Sequence, residues 1–316
     1  MATPEITQTT RRTPLGDAPV LRAQGRRWSE DIVKVILGLS ALVSILTTVG
    51  IVVALLEPSI EFFTEIPIWD FLTGTSWAPL FEPGSFGVLP LIVGTFSVTF
   101  WACLVCIPFG LGSAIFLSEY AKPRARKILK PALELLAGVP TVVYGYFALT
   151  FVTPLFRDLG LSPEIFNALS AGLVMGVMLI PTIASLSEDA MTAVPQSLRD
   201  GAYALGSNRF QVSTRVVVPA AISGIVASFV LAISRAVGET MIVLVAAGQQ
   251  PQLIFDPMRA IQTMTAFIGA TGNGDLPRGT IEYNTIFAVG LLLFVLTLIL
   301  NLISIRLVRK YREVYE

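Results

Sequence analysis

The stretch SLRDGAYALGSNRFQVSTRVVVPAAISGIVASFVLAISRAVGETMIVLVAAG, Ser197 to Gly248, joins a short polar segment to a long apolar one. Its first part predicts a short helix between two membrane spans. Ser197 can cap that helix, with Asp200 three residues on completing a capping-box pattern. Gly206 stands where a left-handed residue would end it. Leu198, Ala202 and Leu205 recur at helical spacing as one apolar face, while Arg199 and Asp200 are expected to stay wet. A surface helix this short is marginal alone, so a partner surface is expected to hold it.

Outward from that stretch, composition sets the class. The 316-residue chain is 53% hydrophobic and 14% charged, whereas about a quarter of the residues in soluble domains are charged. Its apolar residues fall in runs at about 32–56, 88–117, 132–156, 166–186, 216–247 and 283–308. Each can cross a hydrocarbon core of roughly 30 Å. The reading is an all-α integral membrane protein with six transmembrane helices. A cytoplasmic tail covers 1–30 and the membrane domain 31–310, with an outer segment at 57–87 and an inner loop at 190–219; residues 311–316 are a cytoplasmic end. The run at 216–247 exceeds what a bilayer needs, which predicts one helix that tilts or projects inward.

Lys and Arg set the orientation. With both termini cytoplasmic, only Arg157, Arg259 and Arg278 fall outside. The outer segment 57–87 holds Glu57, Glu61, Glu65, Asp70 and Glu82 among Phe62, Phe63, Trp69, Phe71, Trp77, Phe81 and Phe86. Aromatics among acids suggest a segment at the membrane interface, either an anchor or a docking surface for an outer partner.

Charges within spans are functional candidates by default. Arg235 and Glu239, four residues apart in SRAVGET, would share one helix face. A guanidinium there can hold a carboxylate or a tetrahedral oxyanion through paired hydrogen bonds. The alternative is a structural ion pair locking helices together. Glu134, near the inner end of the third span, suits an interfacial structural role or a gate. Glu188 and Asp189 are expected to be solvated or paired with the basic inner loops, and Cys103 and Cys106 to be packing residues. The chain has no histidine, which excludes histidine proton relays and His-ligated metals. It has no G-x-x-x-x-G-K-[ST] loop, so ATP would have to be bound by another chain. No catalytic residue, metal or cofactor is expected in this chain, and no nucleic-acid partner; membrane lipid surrounds it.

The inner loop resembles that of the permease subunits of ABC importers, patterned E-A-A, three residues, G, nine residues, I-x-L-P. Asp200, Gly201 and Ala202 stand at the first three positions, Gly206 at the glycine, and Val216, Val218 and Pro219 at the end. The departures are mild changes of size. In that family the loop is the coupling helix that docks into a separate ATPase, so Leu198, Asp200, Gly201, Ala202, Leu205 and Gly206 become coupling candidates. The stretches WDFLTGTSWAP (Trp69–Pro79), LSEYA (Leu117–Ala121), ELLAGVPTVVYG (Glu134–Gly145) and SRAVGET (Ser234–Thr240) resemble the PstC-type permeases of phosphate-specific ABC importers. That resemblance implies a type I ABC importer permease fold and a PstA-like second permease. It also implies a PstB-like ATPase dimer beneath and a PstS-like phosphate-binding protein outside. It further implies that Arg235 and Glu239 serve phosphate transport. A permease for another oxyanion, an ATP-independent channel or secondary transporter, and a membrane anchor for a binding protein are the competing readings.

Overall fold

A computed structural model describes residues 28–161 and 163–311; most of the amino-terminal tail and the last five residues lie outside the described residues. The chain divides into two units at Ile51 and Val52. The first, from Trp28 onward, is the apolar early part of helix α1 (Trp28–Glu65), whose side chains from Val33 to Ile51 are nearly all exposed.

The second unit begins within α1 and folds the outer segment at once. Helix α2 (Ile68–Thr73) leads to a hairpin of β1 (Trp77–Ala78) and β2 (Ser85–Phe86), with Trp77 opposite Phe86. Gly74 and Gly87 pass so close that a Cβ on Gly87 would lie 2.2 Å from a backbone carbon of Gly74, so neither position accepts a side chain. Phe62, Phe71 and Trp77 are buried in an edge-to-face series that ends on Phe267, 4.9 Å from Trp77. The segment 57–87 also has a fold of its own: much of its aromatic content is the core of a small folded cap. Only some of it, Trp69 and Phe81 foremost, faces outward.

Helix α3 (Leu89–Ile115) runs into a π turn at Phe116–Tyr120. The third span is not one helix. It is α4 (Pro123–Ala137), an 87° bend at Gly138–Pro140, α5 (Thr141–Phe147), a π turn and α6 (Thr153–Asp158). Pro140 cannot continue a helical ladder, and the Tyr144 hydroxyl donates to the Leu136 carbonyl at 2.7 Å across the break. Helix α7 (Ala168–Thr192) starts at Asn167, whose side chain accepts from the Ser170 N–H. Gly172 and Gly176, four residues apart, let α7 close onto Trp101, Ala102 and Val105 of α3. Cys106 is buried in that same α3–α7 core, and both cysteines are free.

Helix α8 (Gln196–Ala204) precedes α9 (Arg209–Val212), which passes through a π turn into α10 (Val218–Ala220). The expected single long fifth helix is instead broken twice. A 72° bend separates α10 from α11 (Ile222–Val237), and Gly238–Thr240 separates α11 from α12 (Met241–Ala246). After a loop comes the short helix α13 (Met264–Gly272), unforeseen from hydropathy, and then α14 (Ile281–Tyr311). Among the described residues, α1, α3, α7 and α14 are long and apolar enough to cross a membrane, and there are up to six spans if each of the two bent pairs is one.

Candidate translocation site and coupling element

The break at Gly238–Thr240 separates the two residues expected to pair. Arg235 lies in the last turn of α11, where a cation suits the helix dipole. Glu239 lies beyond the end of that helix, and among the described residues it forms no ion pair with Arg235. Its Oε1 accepts from the Met241 and Ile242 N–H groups at 3.0 and 3.3 Å, and so satisfies the start of α12. Its carbonyl accepts from the Thr265 hydroxyl at 2.7 Å. The shared helix face is thus corrected: four-residue adjacency needs a continuous helix, and Gly238 ends this one.

Arg235 is exposed, and its Nη1 donates to the Thr182 hydroxyl at 3.3 Å. Thr182 lies about 21 Å along α7, a helix about 37 Å long, so the guanidinium meets α7 near the middle of that helix. Thr182 also lines a cleft of about 190 Å³ with Glu134, Lys130, Ser185 and Glu188. Arg235 and Glu134 therefore converge on Thr182, while Glu239 turns away. Sequence reasoning passed over Thr182; the signal available was a polar residue directly after Pro181 in an apolar run.

Glu134 is exposed on α4. Glu188 is fully buried and takes ion contacts from Arg126 and from Lys130, whose Nζ is 3.1 Å away, so the paired expectation describes it and the solvated one does not. No other donor reaches either of its oxygens. Asp189 is 3.2 Å from Lys130.

The inner loop corrects two expectations. Pro195, not Ser197, stands at the start of α8, with no side-chain cap, and Asp200 instead accepts from the Gln196 amide at 3.0 Å. The capping box occurs one helix later, where Asn208 and Gln211 exchange bonds of 2.9 Å. Arg199 is not wet. Its side chain is 11% exposed, donates to the Val194 and Met191 carbonyls at 2.6 and 2.8 Å, and meets Glu119 at 3.1 Å. Gly206 does end α8 as expected: φ is +82°, and the Ser207 and Gly206 N–H groups return to the Ala202 and Tyr203 carbonyls at 3.1 and 2.9 Å. Leu198 and Leu205 are exposed, Ala202 is partly covered, and Phe210 adds a further exposed ring. A Cβ at Gly201 would meet nothing within 4 Å, so that position accepts alanine.

Residues 106–313 match the family model described as binding-protein-dependent transport system inner membrane component. The chain is 36% identical to a probable ABC transporter permease protein, YqgH, of Bacillus subtilis over 92% of its length and 94% of the relative's. It is 31% identical to the phosphate transport system permease protein PstC of Haemophilus influenzae, over 90% and 95% of the two chains. Among solved structures, a chain of a bacterial alginate ABC transporter aligns with TM-score 0.62 at 16% identity, over 90% of this chain and 98% of that one. A chain of the inward-facing MetNI methionine ABC transporter aligns with TM-score 0.53 at 18% identity, over 72% and 95%. These structural likenesses are of fold.

Proposed function

The chain belongs to the family of binding-protein-dependent transport system inner membrane components and is a permease subunit of an ABC importer, and from that premise we propose that its cargo is inorganic phosphate. Such a permease is a multi-pass membrane protein that works with a second permease, an ATPase and a binding protein. In our reading these are the PstA-like, PstB-like and PstS-like subunits. ATP is bound by the ATPase chain, both termini of the permease are cytoplasmic, and α8 is the coupling helix.

The observation that carries the cargo is Arg235. It is an exposed guanidinium beside the middle of α7, with one long bond to a hydroxyl and, among the described residues, no ion pair. Its remaining N–H donors are free for a tetrahedral oxyanion, which they match by paired bonds. Thr182 orients the guanidinium, Glu134 lines the inner side of the same cleft, and Glu239 shapes the break that ends α11 beside it. Several relatives that cover most of this chain are named as phosphate transport system permeases.

ATP-dependent uptake of radiolabelled phosphate into vesicles carrying the complete importer tests this. Arg235→Gln should abolish uptake at unchanged permease level, and unlabelled sulfate should compete poorly with the native protein. Native uptake by Arg235→Gln, or uptake suppressed equally by sulfate, would end the phosphate reading.

A further inference from the structure

Beside α8, a polar cleft of about 300 Å³ opens among the ends of α3 and α7 and the starts of α4 and α9. Three arginines line it: Arg126, Arg199 and Arg209, with Glu119 as its one acid. They are not equivalent. Arg199 is consumed by Glu119 and two carbonyls, and Arg126 by the buried Glu188. Arg209 is exposed, and among the described residues its guanidinium has no ion pair. The cleft therefore holds one uncompensated positive charge, with the Tyr203 and Thr192 hydroxyls beside it.

We propose that this cleft receives a carboxylate side chain of the ATPase subunit, with Arg209 as its partner. The inference rests on the reading of α8 as the coupling helix, since Gln196, Arg199 and Tyr203 of α8 form one wall. Exposed Leu205 and Phe210 lie on the same stretch, so a protein seated on α8 covers the cleft and removes its water. A charge pair strengthens as water leaves, which makes the contact dependent on docking. One free guanidinium suits a single-charged carboxylate better than a small dianion. Close charge pairs at interfaces also fix register and discriminate partners.

Arg209→Lys offers a direct test in the complete importer. A carbodiimide activates a carboxylate, and a lysine amine in salt-bridge reach displaces the activating group to leave an amide. A peptide joining residue 209 to an Asp or Glu of the ATPase subunit, found by mass spectrometry in Arg209→Lys and not in the native protein, is the expected result. Arg209→Glu should weaken ATPase retention about tenfold, the lower end for close interfacial charge pairs. A glutamate is acceptable at the first position of α9, so the reversal leaves the loop folded. A link only to Glu119 would overturn the proposal. So would a link that forms only once inorganic phosphate is washed out, which would mark a small-anion site. A cysteine at Leu205, 87% exposed at the end of α8, separates the two layers of inference. If it crosslinks to the ATPase while Arg209→Glu retains the partner fully, the cleft is misassigned and the coupling helix stands. If it fails to crosslink, the coupling reading itself falls.

Discussion

Two arginines, Arg235 beside the middle of α7 and Arg199 near the start of α8, invert what their settings suggest. The one inside an apolar run is exposed, with a single 3.3 Å bond to Thr182. The one on a surface helix is 11% exposed and makes three bonds, to a carboxylate and two carbonyls. A guanidinium held by three buried acceptors is a structural part, because moving it leaves those acceptors without partners. One whose donors are free can exchange partners at low cost. The contrast makes Arg199 part of the architecture and supports the proposal that Arg235 serves transport.

Ordered by cost to the folded state, four variants sharpen or break that contrast. Arg199→Ala orphans Glu119, itself 6% exposed, and should cost about 3–5 kcal/mol, as removal of one partner of a buried pair does. Thermal stability in mild detergent reads it, and a native melting temperature would erase the distinction. Gly206→Val should cost about 1–2 kcal/mol or somewhat more, because a left-handed backbone penalises any Cβ even where the space is open. That variant should remain in the membrane with ATP hydrolysis no longer linked to uptake, and normal uptake at equal membrane level would count against α8 as the coupling element. Glu239→Ala removes the acceptor at the start of α12 and should cost about 1 kcal/mol, whereas Glu239→Gln keeps an acceptor and should be close to native. Equal losses in the two would show that the charge, not the cap, matters. Arg235→Gln should shift stability by no more than about 0.5 kcal/mol while removing uptake. A large loss of stability there would make it a structural arginine like Arg199. Because Glu239 does not lean on Arg235, this single change leaves no orphaned carboxylate and is interpretable alone.

What the sequence made legible follows the range of each force. Hydropathy integrates over some twenty residues, so the six apolar stretches, the polar loop and the stop at Gly206 could be read. Interactions decided by a single break could not. The i, i+4 relation of Arg235 and Glu239 held only if the helix ran on through Gly238. The fifth apolar run looked like one long helix because hydropathy is blind to direction, and the bend before Ile222 leaves it unchanged. The capping pattern was sought at Ser197, although Asn208 and Gln211 carry the same spacing; Pro195 begins α8 first. Arg199 was read as wet because its partner, Glu119, lies 80 residues away in sequence. The aromatic cap escaped for the same reason, since Phe267 closes it from beyond the fifth span.

The ion contacts of Glu188 come from α4, a helix with no fully buried residue of its own. Without α4 in place, α7 would therefore carry a carboxylate that nothing on its own last turns neutralises. A buried carboxylate left without its partners costs about 3–5 kcal/mol. That debt is cleared only when the inner half of the third span closes over α7 with Arg126 and Lys130 in place. Shape alone would tolerate a loosely seated α4; the buried charge of Glu188 does not.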